Sequence, residues 1–223
     1  TSTEKTPSFS ESLLGILDAV KQKYTGNVYI IFFLVTLAFA AIPVIVPLLT
    51  IDYFGFTEVE MSYVFIFIGI IQVTLQGFGI KKLVSRLGEE KLIILGPFLL
   101  SAGVILTPIF ASIPGFGFAT ILVALGVGIT NTAVPSFISL MTPPERQGSK
   151  LGVTQSIGSI ARIFGPVIAG LVTELTTVQS AFYVSGSLLI IAILLGCRLF
   201  QVCKLKGLLD RNTGESIGSM PPH

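Results

Sequence analysis

Gln155, Ser159, Arg162 and Pro166 recur at intervals of four, three and four within an otherwise apolar run, the spacing of one helical face. Arg162 lies in GSIARIFGPVIAG (158–170) and is the only charge between Lys150 and Glu174. A guanidinium keeps its charge at any accessible pH and offers only donors. It can hold an anion but cannot act as a general base. Two further polar groups fall in apolar runs: Gln72 with Gln76, one turn apart, and Asn131 with Thr132. Amides, hydroxyls and one cation recognise a solute rather than transform it. The bland alternative is a buried network that locks helices together at about 0.6 kcal/mol per hydrogen bond.

Bond-making chemistry has no visible machinery. The chain has no HExxH, no GxSxG, no paired acids within an apolar run and no Cys/His cluster. His223, the only histidine, ends a polar tail. Cys197 and Cys203 are six residues apart, about 9 Å along a helix, and read as packing residues rather than a disulfide. GVGIT (126–130) has no flanking strand and is no phosphate loop. The sequence therefore points to neither an enzyme, a cofactor nor a metal.

These residues must be positioned by membrane helices. The chain is 52% hydrophobic and only 12% charged, with a mean hydropathy of +0.87, whereas soluble domains carry about 25% charged residues. A net charge of +2 with no basic face excludes nucleic acid. Apolar stretches long enough to cross about 30 Å of hydrocarbon lie near 28–51, 60–80, 91–112, 117–141, 150–173 and 181–203. They are continuous rather than alternating, which predicts helices and not a barrel.

Of the 14 Lys and Arg, all but Arg162 fall before the first span, in the 2/3 and 4/5 connections, or in the last stretch. This predicts that both termini are cytoplasmic. Residues 1–27 read as a cytoplasmic linker holding a short interfacial amphipathic helix over 10–24, with Ser10 as N-cap. Residues 28–203 form the bundle, and 204–223 read as a disordered cytoplasmic tail. The chain opens at Thr1 without a leader-like segment, which fits a piece of something longer. A rise of 1.5 Å per residue puts Arg162, Asn131 and Gln72 each about 12 to 14 residues into its span, near mid-depth. Spans 3 and 6 hold almost nothing polar and are predicted to face lipid. Ala161, Gly165 and Ala169 repeat every four residues, the small-residue spacing of close helix contact. Arg162 is expected to meet Gln72, Asn131 and carbonyls freed near the prolines.

Six helices with bland spans 3 and 6 and polar spans 2 and 5 read as three plus three. PLLTIDYFGFTEVEMSYVFIFIGIIQVTLQG (47–77), LVSRLGEEKLIILG (83–96) and PPERQGSKLGVTQSIGSIARIFGPVIAGLV (143–172) appear in order and at the right separation. On these stretches the chain resembles the C-terminal six-helix half of a major facilitator superfamily transporter, of the drug:proton antiporter type that includes tetracycline exporters. The resemblance implies an all-α membrane protein of two inverted three-helix repeats. It also implies alternating-access, proton-coupled multidrug efflux of small amphipathic organic compounds. Metabolite or organic-anion uptake, which a mid-depth arginine suits, and a non-transporting scaffold or receptor subunit remain the alternatives.

The implied partners are an N-terminal six-helix half, the lipid bilayer, a small-molecule substrate and protons. The implied location is the cell membrane, with an organelle membrane as the alternative. Spans 1 and 4 would line the central cavity, 2 and 5 would flank it and 3 and 6 would support it from lipid, with Gln72, Gln76, Asn131, Thr132, Gln155, Ser159 and Arg162 as the substrate-cavity residues. Arg86 and Gly88 of the loop signature, and Gly165, Pro166 and Gly170 of GPVIAG, would serve gating or packing. That signature has Val84 in place of its acid, Ile80 in place of its first glycine, and Glu89 and Glu90 at two basic positions. Apart from Glu60 at the rim of the second span, no acid lies inside any span, so a proton-coupling carboxylate is expected in the other half.

Overall fold

The computed structural model describes residues 25–205, and they are helical without a strand among them. The expected interfacial helix over 10–24 and the tail beyond 205 lie outside the described residues. The helices are α1 (Thr25–Phe54), α2 (Glu58–Thr74), α3 (Ile80–Leu87), α4 (Glu89–Leu106), α5 (Ile113–Leu140), α6 (Pro144–Leu175) and α7 (Val178–Leu205). A π-helical turn, Leu75–Gly79, joins α2 to α3, so these form one long rod.

Among the described residues five helices are long and apolar enough to cross a membrane: Gly26–Phe54, Glu58–Leu87, Ile113–Leu140, Pro144–Leu175 and Val178–Gln201. The chain is a multi-pass integral membrane protein. The third predicted span differs. Observed as α4, it begins on Glu89, Glu90 and Lys91 and stops at Leu106, where Thr107 and Pro108 turn the chain. Its 18 residues reach only about 27 Å.

Local sequence sets the helix ends. Glu60 in the first turn of α2 holds the N-cap residue Thr57, its Oε2 accepting from Thr57 N at 2.6 Å and from Thr57 Oγ1 at 3.0 Å. Ser112 accepts from Gly115 N at 3.4 Å, with Pro114 in the first turn of α5. Gly88 alone separates α3 from α4, at φ 81°. A side chain there would be strained.

The core runs between α1, α4, α5 and α7 and includes the fully enclosed Tyr29, Leu49, Leu92, Ile129, Phe182 and Leu189. The most extensive contact joins α4 to α5, followed by α1 on α6, α1 on α7 and α4 on α7. Small residues make these approaches possible. A Cβ on Gly126 would strike the Leu100 backbone, and one on Gly96 would strike Thr130 Oγ1. A Cβ on Gly165 would sit 2.7 Å from both Leu37 O and Ala40 Cβ, with Ala161 and Ala169 buried on the same face.

The rod of α2 and α3 is largely uncovered. Its Val59, Tyr63, Ile66, Ile70 and Val73 form an exposed apolar stripe at intervals of four, three, four and three.

Tyrosines fasten both ends of the bundle. At the end without Lys or Arg, Tyr53 Oη donates to Pro108 O at 3.2 Å and accepts from Gln179 Nε2 at 3.4 Å. Phe54, Phe56 and Phe116 cluster beside it. At the charged end Tyr29 Oη donates to Lys150 O at 3.3 Å.

Candidate functional site

Three helices meet around an open cavity of about 320 Å³ near the middle of the bundle. α1 contributes Thr36, Ala40 and Pro43, spaced four and three apart on one face, flanked by Val35 and Phe39. α5 contributes Val127 and Asn131, one turn apart, and α6 contributes Arg162. Proline lacks an N–H, so Pro43 leaves the Phe39 carbonyl without its usual helical donor. Apart from Thr36, Asn131 and Arg162 the walls are apolar, and the cavity holds one fixed positive charge.

The local sequence makes room for that charge. The site of a Cβ on Gly158 lies 3.3 Å from Arg162 Nη2 and 3.1 Å from Phe32 Cε1. The guanidinium therefore folds back over Gly158, beside Phe32 of α1. Among the described residues the Arg162 side chain makes no ion pair and no hydrogen bond. This corrects the expectation that it meets Gln72 and Asn131. Asn131 lines the same cavity without bonding to it, and Gln72 lies elsewhere, half-buried where α2 crosses α5, its Cγ 3.8 Å from the site of a Cβ on Gly128. Helical phase gives a face but not which neighbour covers it, and α2 is largely uncovered.

The remaining predicted residues scatter. Gln76 is exposed in the π-turn. Thr132 lies one residue past Asn131, and its hydroxyl donates to Gly128 O at 2.9 Å. Ser159 likewise donates to Gln155 O at 2.9 Å, and both residues are exposed on α6 outside the cavity wall. Arg86 is exposed on α3, and Gly88 forms the α3–α4 junction. Gly165 lies against α1, with Pro166 and Gly170 half-buried beyond it. Of the seven residues predicted to line a cavity, Asn131 and Arg162 share this one.

The sequence reading missed Thr36, Phe39, Pro43 and Gly158. Thr36 is buried, and its hydroxyl has no hydrogen-bond partner. A lone threonine in an apolar span carries little signal. Its place seven residues before Pro43, on the same face, was the available clue.

Residues 28–215 match the Major Facilitator Superfamily domain. A stretch of 166 residues is 26% identical to mouse major facilitator superfamily domain-containing protein 10, covering 74% of this chain and 36% of the mouse protein. Multidrug resistance protein 2 of Bacillus subtilis is 28% identical over 170 residues, covering 74% of this chain and 41% of that protein. The riboflavin transporter RibZ of Clostridioides difficile is 27% identical over 129 residues, 58% of this chain and 28% of RibZ. The chain thus spans less than half the length of these relatives. The crystal structure of the human organic anion transporter MFSD10 (TETRAN) superposes with a TM-score of 0.71 at 22% identity, over 86% of this chain and 43% of that one.

Proposed function

We propose, from the premise that this chain belongs to the Major Facilitator Superfamily, that it forms the C-terminal half of a secondary transporter that moves small organic compounds by alternating access. The observation that carries this reading is the cavity between α1, α5 and α6, with the unpaired Arg162 guanidinium facing it. A carrier needs a polar group near mid-depth that is not spent on its own fold.

The two-repeat arrangement has support in how the helices pair. Exchanging α1, α2 and α4 for α5, α6 and α7 turns the α1–α6 contact into α5–α2, and the α1–α7 contact into α5–α4; all four contacts occur. The α4–α7 and α1–α5 contacts map onto themselves. In this reading α4 is the sixth spanning helix. The apolar stripe of α2 and the exposed Phe164, Val167 and Leu171 of α6 are covered by lipid or by an N-terminal half. Both termini are cytoplasmic, because Lys and Arg gather at that end.

Two cargoes have separate support. Proton-coupled drug efflux is favoured by the relative named as a multidrug resistance protein. Organic-anion transport is favoured by Arg162 and by the solved structure named as an organic anion transporter. The test is solute flux in proteoliposomes of the full-length protein under an imposed pH gradient. Substrate-dependent proton movement is the expected result for an antiporter. No flux with cationic, neutral or anionic solutes, together with a stable protein partner in detergent, would replace the transport reading with a scaffold.

A further inference from the structure

Thr36 departs from the other buried threonines of the described residues. Thr50, Thr120, Thr130 and Thr154 each donate to the carbonyl four residues earlier. A helical threonine has this bond available from its own backbone in one of its two side-chain rotamers. Thr36 does not make it to Phe32 O. Its hydroxyl oxygen is shut away from solvent with no partner, in a residue only 7% exposed. A buried hydroxyl left without a hydrogen bond is costly. It sits in the wall of the cavity that Arg162 faces, one turn of α1 from the Phe32 ring that flanks the guanidinium.

We infer that this cavity is an anion subsite and that Thr36 is a specificity-determining residue in it. The ligand is an organic monoanion: its carboxylate pairs with the Arg162 guanidinium and accepts a second hydrogen bond from the Thr36 hydroxyl. Its apolar body lies against Val35, Phe39 and Val127. The inference rests on reading the cavity as the solute path, and it deepens that reading by naming the charge of the solute and a second donor. Rotation about the Thr36 Cα–Cβ bond exchanges methyl for hydroxyl at the wall. The group that is orphaned without ligand thereby gains its partner when the ligand arrives. A charged acceptor suits this pair, because guanidinium and hydroxyl can both donate to one carboxylate. A neutral solute leaves the arginine unmatched.

The probes are 2-naphthoate and its uncharged counterpart 2-naphthamide, binding the full-length protein in detergent with neutral lipid. Wild type is expected to bind the naphthoate at least about tenfold more tightly, the factor a charge-assisted hydrogen bond supplies. Thr36→Val should weaken naphthoate binding about tenfold, leave naphthamide unchanged and not lower the melting temperature of the ligand-free protein. Thr36→Ser should restore binding. Thr36→Ala, which also lacks the hydroxyl, repeats the measurement independently. Thr173, the other buried hydroxyl without a partner among the described residues, lies outside this cavity, and Thr173→Val should change neither affinity.

Equal naphthoate affinity in wild type and Thr36→Val overturns the inference, as does equal weakening of both probes or no naphthoate binding by wild type. Phosphatidylglycerol that displaces naphthoate with the same Thr36 dependence gives the anion to a lipid headgroup and overturns the assignment to a solute. The parent reading fails separately. Absent flux of every solute with the binding pattern intact refutes transport alone, and flux of a neutral solute without that pattern refutes the anion subsite alone.

Discussion

Gly165→Ala should loosen the contact between α1 and α6 by more than the gain in helix propensity restores. Placing Ala at an open helical glycine stabilises by about 0.5 to 1 kcal/mol. Gly152 on the same helix is such a position, with nothing within 4 Å of an added Cβ. At Gly165 the added Cβ would meet Leu37 O and Ala40 Cβ, both at 2.7 Å, and Ala40 C at 3.3 Å. Normal contact begins near 3.5 Å, so the helices must part by about 0.8 Å. These neighbours are backbone or the first side-chain atom, and no rotamer change relieves them. Gaps of that size forfeit about a quarter to a half of each dispersion contact along the seam. Overpacking of this kind costs about 1 to 3 kcal/mol. The net expectation is a loss of about 1 to 2 kcal/mol for Gly165→Ala and a gain of up to about 1 kcal/mol for Gly152→Ala. Reversible unfolding of the full-length protein by SDS titration measures both. A Gly165→Ala protein as stable as Gly152→Ala would refute the close approach of α1 and α6.

Arg162→Gln should leave folding intact, because no carboxylate among the described residues depends on the guanidinium, while flux of anionic solutes falls tenfold or more; a misfolded Arg162→Gln protein would assign the arginine to packing. Gly158→Ala puts a Cβ 3.1 Å from the Phe32 ring and 3.3 Å from Arg162 Nη2. Its stability should stay within about 1 kcal/mol of wild type while anion affinity drops, as read by the naphthoate titration. Gly88→Ala forces a side chain into φ 81° at the α3–α4 junction, and should lower stability by about 1 kcal/mol or more; an unchanged SDS midpoint would count against that junction.

The helical class and most spans were legible because lipid allows few alternatives to continuous apolar helices. The run through Arg162 could be phased in advance because Ala161, Gly165 and Ala169 mark one side of α6 by size, which leaves the arginine on another. The third span, expected near 91–112, is observed as a helix over Glu89–Leu106. Hydropathy does not see that Glu89, Glu90 and Lys91 can form the first turn of a helix, or that Pro108 stops one early. The site was legible only in part. Gln72 and Gln76 share a face, yet Gln72 packs where α2 meets α5, near Gly128, instead of at Arg162. Thr36 and Gly158 escaped because their importance comes from what lies across the gap, which periodicity along one helix cannot report.

On the proposed reading of the chain as half of a carrier, Arg162 also bears on how the two halves would divide their work. A guanidinium at mid-helix costs about 2.5 to 3.5 kcal/mol to insert, and no ion pair among the described residues offsets it. The cavity supplies another remedy. At about 320 Å³ and partly open, it has room for several waters, so the charge can stay hydrated while the helices around it meet lipid. A ligand that displaces this water must match what the water gave, which an uncharged apolar solute does not. Closure of an opposing half would then be favoured by an anion that matches the guanidinium and disfavoured over an empty, dehydrated cavity. That asymmetry predicts that 2-naphthoate, and not 2-naphthamide, protects a cysteine placed at Asn131 from a water-soluble maleimide. Equal labelling with both probes would separate closure from charge compensation.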